Sequence, residues 1–239
     1  MKIDIIISGD DIKESKLENK TAVVIDMFRA TSVITTAFNN GCKELIPFLT
    51  IEETLKKAEE AGRDNCILGG ERNAVKIEGF DLSNSPLEYS EDVVKDKTIL
   101  MTTTNGTKTL TKCKNAEKIL IGAVINGKAV ADMLLKLNRD AVIVNAGTKG
   151  EFSMDDFICS GYIIDEVIKQ KSNTELTDIS KTAQLIYKAN NNIIDFVKDA
   201  SHYAVMKSLG LDEDIEYCIQ KDIVNIVPEY DGFKIGIYR

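Results

Sequence analysis

Thr21-Ala22-Val23-Val24-Ile25-Asp26-Met27-Phe28-Arg29-Ala30-Thr31-Ser32 sets the plan of the chain. Its uncharged start is an unbroken run ending in Val, Val and Ile, the pattern of a strand covered on both faces. The run stops at the carboxylate of Asp26. Arg29 follows three positions later, and the hydroxyls of Thr31 and Ser32 stand where they can cap the next helix. Residues 31–39 then read as that helix. Strand, polar turn and helix form a unit that recurs along the chain.

Strands are expected over residues 3–8, 21–26, 43–47, 65–68, 98–102, 116–121 and 141–145. Helices are expected over residues 31–39, 51–61, 106–113, 125–137 and 155–169. Residues 51–58 space their apolar side chains by three and four and place acids before bases, as an amphipathic helix with a macrodipole favours. Residues 177–220 read as mostly helical, and two strands, 223–227 and 233–238, close the chain around Pro228 and an Asp231-Gly232 turn. The alternation predicts an α/β fold: layered α/β/α with a largely parallel or mixed sheet and a helical C-terminal third. No linker-like tract interrupts it, so residues 1–239 read as a single domain, with a sub-boundary near 171–176.

The chain has 239 residues, with 30 Lys+Arg against 38 Asp+Glu and a net charge of −8. Such an acidic chain has no general electrostatic footprint for nucleic acid or for an anionic membrane. A single histidine, His202, excludes a multi-histidine zinc site. The five cysteines show no C-x-x-C spacing, and the N-terminal apolar run is too short for a signal peptide. No apolar run approaches the ~20 residues that span a bilayer. A cytoplasmic enzyme is therefore expected, with a homo-oligomer as the default assembly.

In open α/β sheets ligands bind beyond the carboxyl ends of the strands. Four such points carry polar chemistry. The first is Asp26 with Arg29, Thr31 and Ser32. The second is Gly69-Gly70-Glu71-Arg72, again a carboxylate beside an arginine, with the polar loop Gly79-Phe80-Asp81-Leu82-Ser83-Asn84-Ser85-Pro86 nearby. The third is Thr103-Thr104-Asn105-Gly106-Thr107, whose backbone N–H groups at a helix start suit an anion but lack the G-x-x-x-x-G-K-[ST] spacing of a nucleotide loop. The fourth opens at Asn145-Ala146-Gly147 and ends at Asp155-Asp156. Salt bridges, turns and helix caps account for each of these singly. Their arginines argue for more: the chain has only Arg29, Arg63, Arg72, Arg139 and Arg239, and two of them follow strand-end acids. Arg is the residue for fork-like recognition of an oxyanion, and an acid at a strand end suits a hard cation such as Mg²⁺.

Two other patterns are set aside. Cys66 and Arg72 satisfy C-x₅-R, but Cys66 falls inside a strand, not at the mouth of a phosphate loop. His202 opens an amphipathic helix and is read as a capping or surface residue.

Taken together, Val24-Ile25-Asp26-Met27-Phe28-Arg29-Ala30-Thr31-Ser32, Gly69-Gly70-Glu71-Arg72, residues 79–86, Thr103-Thr104-Asn105-Gly106-Thr107, Asn145-Ala146-Gly147 and Asp155-Asp156 resemble the 2-phosphosulfolactate phosphatases of coenzyme M biosynthesis. The resemblance implies Mg²⁺-dependent hydrolysis of (2R)-phospho-3-sulfolactate to sulfolactate and phosphate, on a family-specific α/β fold. On that reading Asp26, Glu71 and one of Asp155 and Asp156 lie near the metal, and Asp26, Arg29, Glu71 and Arg72 carry catalysis. Thr31, Ser32, Asn84, Thr104, Asn105, Gly106, Thr107, Asn145 and Gly147 would bind the small anionic substrate. The residues alone leave two alternatives open: a Mg²⁺-dependent phosphohydrolase for another phosphorylated hydroxy acid, or a non-catalytic anion-binding regulator. Acids beside the arginines speak against the second, because carboxylates repel anions unless a metal intervenes.

Overall fold

β2 (Thr21–Ile25) is buried at every position and pairs in parallel with strands on both sides, as its unbroken apolar run requires. A computed structural model describes residues 1–237; Tyr238, where the last expected strand was to end, and Arg239 lie outside the described residues. Before β2 stands β1 (Lys2–Ile6). After it come α1 (Ala30–Asn39), β3 (Glu44–Pro47), α2 (Ile51–Ala61), β4 (Cys66–Arg72), β5 (Val75–Lys76), α3 (Glu91–Val94), β6 (Thr98–Thr102) and α4 (Gly106–Lys112). The chain continues through β7 (Lys118–Gly122), α5 (Gly127–Leu137), β8 (Ala141–Asn145), α6 (Met154–Gln170) and β9 (Glu175–Leu176). It then runs through α7 (Asp178–Ala189), α8 (Ile193–Val197), α9 (Ser201–Ser208), α10 (Asp212–Cys218), β10 (Glu229–Tyr230) and β11 (Ile235–Gly236). The α/β class with a mostly parallel sheet and a helical C-terminal part is what the sequence pattern predicts.

One sheet of eleven strands runs in the order β5-β4-β6-β3-β11-β10-β7-β2-β8-β1-β9. Its two parallel parts, β4-β6-β3 and β7-β2-β8-β1-β9, are joined by the antiparallel hairpin β10–β11. Alternate side chains show how they are arranged. Val24, Ile121 and Val142 from one part, and Leu45, Ile99 and Met101 from the other, share a core with Val33, Ile34, Ala37 and Phe38 of α1. The opposite faces pack outward: Val23, Ile25 and Ile143 against α5 and α6, and Ile46, Leu68 and Leu100 against Ala58 of α2. The sheet therefore wraps around α1, whose first nine residues are all buried. A helix without a charged residue suits such a place, and the buried hydroxyls of Thr31, Ser32 and Thr36 find hydrogen-bond partners.

Several boundaries shift by a residue or two from the pattern-based reading, β5, α3 and β9 are additional short elements, and three larger differences bear on the site or the sheet. β4 runs on through the glycine pair to Arg72 instead of stopping at residue 68. Residues 223–227 form no strand: Val224 N–H donates to the Ile125 carbonyl, and the Ile226 carbonyl accepts from Asn126 Nδ2, so loop contacts use the backbone groups of this apolar run. The final strand is only Ile235–Gly236. No helix among the described residues is long and apolar enough to cross a membrane.

Candidate active site

The ends of β2, β4, β6 and β8 meet α9 around a cavity of about 130 Å³. Asp26 and Glu71 line it, one from each part of the wrapped sheet. The Asp26 backbone N–H donates to Thr31 Oγ1 at 3.0 Å, and Thr31 N–H returns a bond to the Asp26 carbonyl at 3.0 Å, which fixes the turn that presents the carboxylate. Gly106 lets α4 come close: a Cβ there would stand 2.8 Å from Asp26 Oδ2 and 2.6 Å from the Ala30 Cβ. Burial pushes the Asp26 carboxyl up to about 7; His202 opposes that rise, while Glu71 and Asp155 add to it.

Strand alternation separates Glu71 from Arg72. Glu71 is 6 % exposed and accepts Thr104 N–H at 2.6 Å on Oε1, with Thr104 Oγ1 at 3.0 Å and Ala74 N–H at 2.8 Å on Oε2. Arg72 points the other way, donating to the Glu71 and Leu49 carbonyls and, at 2.8 Å, to Thr102 Oγ1. The guanidinium in the cavity wall is that of Arg29, which is buried and donates to Asp214 Oδ2 at 2.6 Å and to the Ala74 carbonyl at 2.9 Å. Asp214 also accepts Ser85 Oγ at 2.5 Å, so α10 ties Arg29 to the loop that presents Asn84. Asn84 lines the cavity, and its buried Oδ1 has no hydrogen-bond partner.

The two acids at the start of α6 have different surroundings. Asp156 accepts Met27 N–H and Gly147 N–H, each at 2.9 Å, and so clamps the ends of β2 and β8 together. Burial, with Asp155 and Asp26 close by, raises its carboxyl well above the ordinary range despite those two donors. Asp155 accepts a short bond from Ser153 Oγ on one oxygen, and its other oxygen lies 3.2 Å from His202 Nδ1. His202 lines the cavity with its side chain 16 % exposed. Burial disfavours its charge, but the hydrogen bond and charge of Asp155, with Asp26 and Asp156 behind, win and lift it to about 9. Its neighbour Phe28 meets the ring edge-on.

A model of the 2-phosphosulpholactate phosphatase family matches residues 6–232. The chain belongs to this family. Among relatives named "Probable 2-phosphosulfolactate phosphatase", one from Clostridium beijerinckii is 66% identical over 98% of this chain and 99% of its own length. One from Clostridium botulinum strain Eklund 17B is 64% identical over the same shares, and one from Clostridium tetani is 59% identical over the full length of both.

In this member of the 2-phosphosulfolactate phosphatase family, the cavity gathers Asp26, Arg29, Glu71, Asn84, Thr104 and Asn105 from among the expected site residues. Gly106 sits against Asp26 and serves by having no side chain. The structure does not bring the others to the cavity wall. Arg72 lies on the far face of β4, as above. The side chains of Thr31 and Ser32 bond to the Asp26 N–H and the Met27 carbonyl, and Thr107 Oγ1 bonds to the backbone of Thr103. Asn145 is fully buried and accepts from Ser160 Oγ, and Gly147 closes a turn at φ 73°. Asp155 and Asp156 stand behind the cavity as supports. Among the described residues, no three Asp, Glu, His or Cys side chains gather as a cage for a metal ion. α4 is one short helix of seven residues, so its start offers little dipole.

Sequence reasoning passed over Thr148, Lys149 and His202, all of which line the cavity. His202 is neither a cap nor a surface residue: Ala200 occupies the N-cap of α9, and the imidazole turns inward to Asp155. Its being the sole histidine of the chain was the available signal. Lys149 looks like any other lysine in sequence; only its place between two glycines in a strand-end loop marks it. Cys66 is buried at the start of β4 with its thiol raised by burial, away from the cavity, as its position in the strand implied.

Proposed function

We propose that this chain hydrolyses (2R)-phospho-3-sulfolactate to 3-sulfolactate and phosphate, with Mg²⁺ as cofactor. The observation that carries the reading is the buried acid pair, Asp26 and Glu71, on the floor of a small cavity walled by Arg29, Lys149 and His202, in a chain of this family. Mg²⁺ keeps several waters and needs only one or two protein carboxylates beside a phosphate, so it does not require a closed protein cage. Asp26 and Glu71 suit that pattern: the charge of Glu71 helps raise the Asp26 carboxyl, a repulsion that a cation between them would relieve. Asp155 and Asp156 drop out of the proposed metal set because they do not line the cavity.

When bound, the metal would neutralise charge on the phosphoryl oxygens. The chain does the rest. Arg29, fixed by Asp214 and Ala74, presents its remaining N–H groups to the substrate. A floor carboxylate accepts a proton from the attacking water. The phosphorus–oxygen ester bond breaks, and the sulfolactate oxygen leaves with a proton from solvent or a cavity acid. The reaction consumes one water and leaves both products complete.

Phosphate release from phosphosulfolactate and from a panel of other phosphorylated 2-hydroxy acids, with and without EDTA, tests the reading. Metal-dependent release with highest kcat/KM on the sulfonated member is expected. Asp26→Asn and Glu71→Gln should each lower kcat by ~10²–10⁴-fold, the range for loss of a catalytic proton acceptor. Wild-type turnover by both variants in Mg²⁺ would show that the floor is assigned wrongly.

A further inference from the structure

The positive groups around the cavity are not equivalent. Arg29 is neutralised by Asp214 at 2.6 Å, and His202 faces Asp155 at 3.2 Å. Lys149 forms no ion pair with any described residue. It lines the cavity and also a second, adjoining hollow, and the two hollows share Thr104, Asn105 and Lys149. Among the described residues, Lys149 is thus the cation that lines both hollows and pairs with no carboxylate.

Its loop fixes the backbone on either side of Lys149, and the residue itself is exposed. Lys149 sits at φ 55°, followed by Gly150 at φ 82°. Thr148 and Glu151 exchange both backbone hydrogen bonds at 3.0 Å, and Ser8 Oγ donates to the Gly150 carbonyl at 2.9 Å. The second hollow also carries net positive charge. Its one carboxylate, Asp10, is held by Lys108 at 2.8 Å and Lys112 at 2.5 Å. Lys112 lies outside the lining, so Lys108 and Lys149 stand in the hollow against one carboxylate that Lys112 also neutralises.

The proposed substrate fits this division, and the inference rests on that reading of the reaction. Its carboxylate carbon is bonded directly to the carbon that bears the phosphate. Its sulfur is one carbon further away. The group that must reach beyond the acid floor is therefore the sulfonate, which stays anionic at any pH the protein meets. We propose that the second hollow is the sulfonate subsite, and that Lys149 is the residue that selects a sulfonated over a non-sulfonated phosphoester.

The test compares Lys149→Ala with the wild type on two substrates, phosphosulfolactate and 2-phospholactate, which has a hydrogen where the first has its sulfonate. A charge-assisted hydrogen bond is worth enough for ~10–100-fold in affinity. The variant's loss of kcat/KM on phosphosulfolactate should exceed its loss on 2-phospholactate by ~10-fold or more, and Lys149→Arg should recover part of the difference. Equal losses on both substrates, or no loss, overturn the assignment. Calorimetric titration of 3-sulfolactate into both proteins reads the subsite without turnover: weaker binding by the variant supports it, and equal binding refutes it. Failure of the wild type to release phosphate from phosphosulfolactate would count against the reaction, while this binding difference still decides the subsite.

Discussion

A histidine next to a carboxylate in a shielded site holds its proton strongly, and His202 beside Asp155 is such a case. Its folded value of about 9 lies above the ordinary 6.5. The stabilisation from this pair is therefore fully present below about pH 6.5 and disappears as pH rises through about 9. His202→Gln should cost about 1–3 kcal/mol near pH 6, in line with a charge-assisted hydrogen bond. The gap in thermal midpoint between wild type and variant should narrow steadily up to pH 10. A gap of constant size across that range would mean that packing against Phe28, not the proton, is what His202 contributes.

At the scale of elements, the approach of α4 to α1 depends on one missing side chain. Alanine is the better helix former by ~1 kcal/mol, so on propensity alone Gly106→Ala would stabilise α4. The added Cβ would instead meet the Ala30 Cβ at 2.6 Å and Asp26 Oδ2 at 2.8 Å. A net destabilisation of ~1–3 kcal/mol is expected, the usual cost of overpacking. Phosphate release should fall with it, because the clash displaces the floor carboxylate. A variant both more stable and fully active would refute this packing. The same contrast explains what was legible beforehand. β2, β6 and β8 announce themselves as unbroken apolar runs, Asp26 as the acid at the end of β2, and Glu71 as the acid that follows the apolar start of β4. Arg72 misleads because a strand that continues past Gly70 sends adjacent side chains to opposite faces, and nothing in the pattern says that β4 continues. Residues 223–227 look like a strand, yet β10 and β11, two residues each, carry no period at all. His202 arrives from α9, a helix remote in sequence from every strand-end loop, so only the folded chain puts it beside Asp155.

For the whole molecule, the hairpin is the joint between the two parallel parts of the sheet. Ile235 of β11 is fully buried and pairs with Leu45 of β3, while Phe233 in the same hairpin is 63 % exposed. Ile235→Asp would place an unpaired charge in the core around α1 and should cost at least ~3 kcal/mol. Because that core belongs to both parts of the sheet, the loss should show as one cooperative transition moved to lower denaturant by circular dichroism. Phe233→Asp is the matched control, with a shift of less than ~0.5 kcal/mol expected for an exposed position. Two separate transitions in the Ile235 variant would mean that the parts fold independently. The wrapped sheet also bears on synthesis. α1 and both parallel parts leave the ribosome before the hairpin does, so the core around α1 can form first, and the strand pairing that joins β7 to β3 follows only when residues 229–236 have emerged. Asp26 comes from one part and Glu71 from the other, so the hairpin that completes the sheet is the last segment made of the frame that carries both acids.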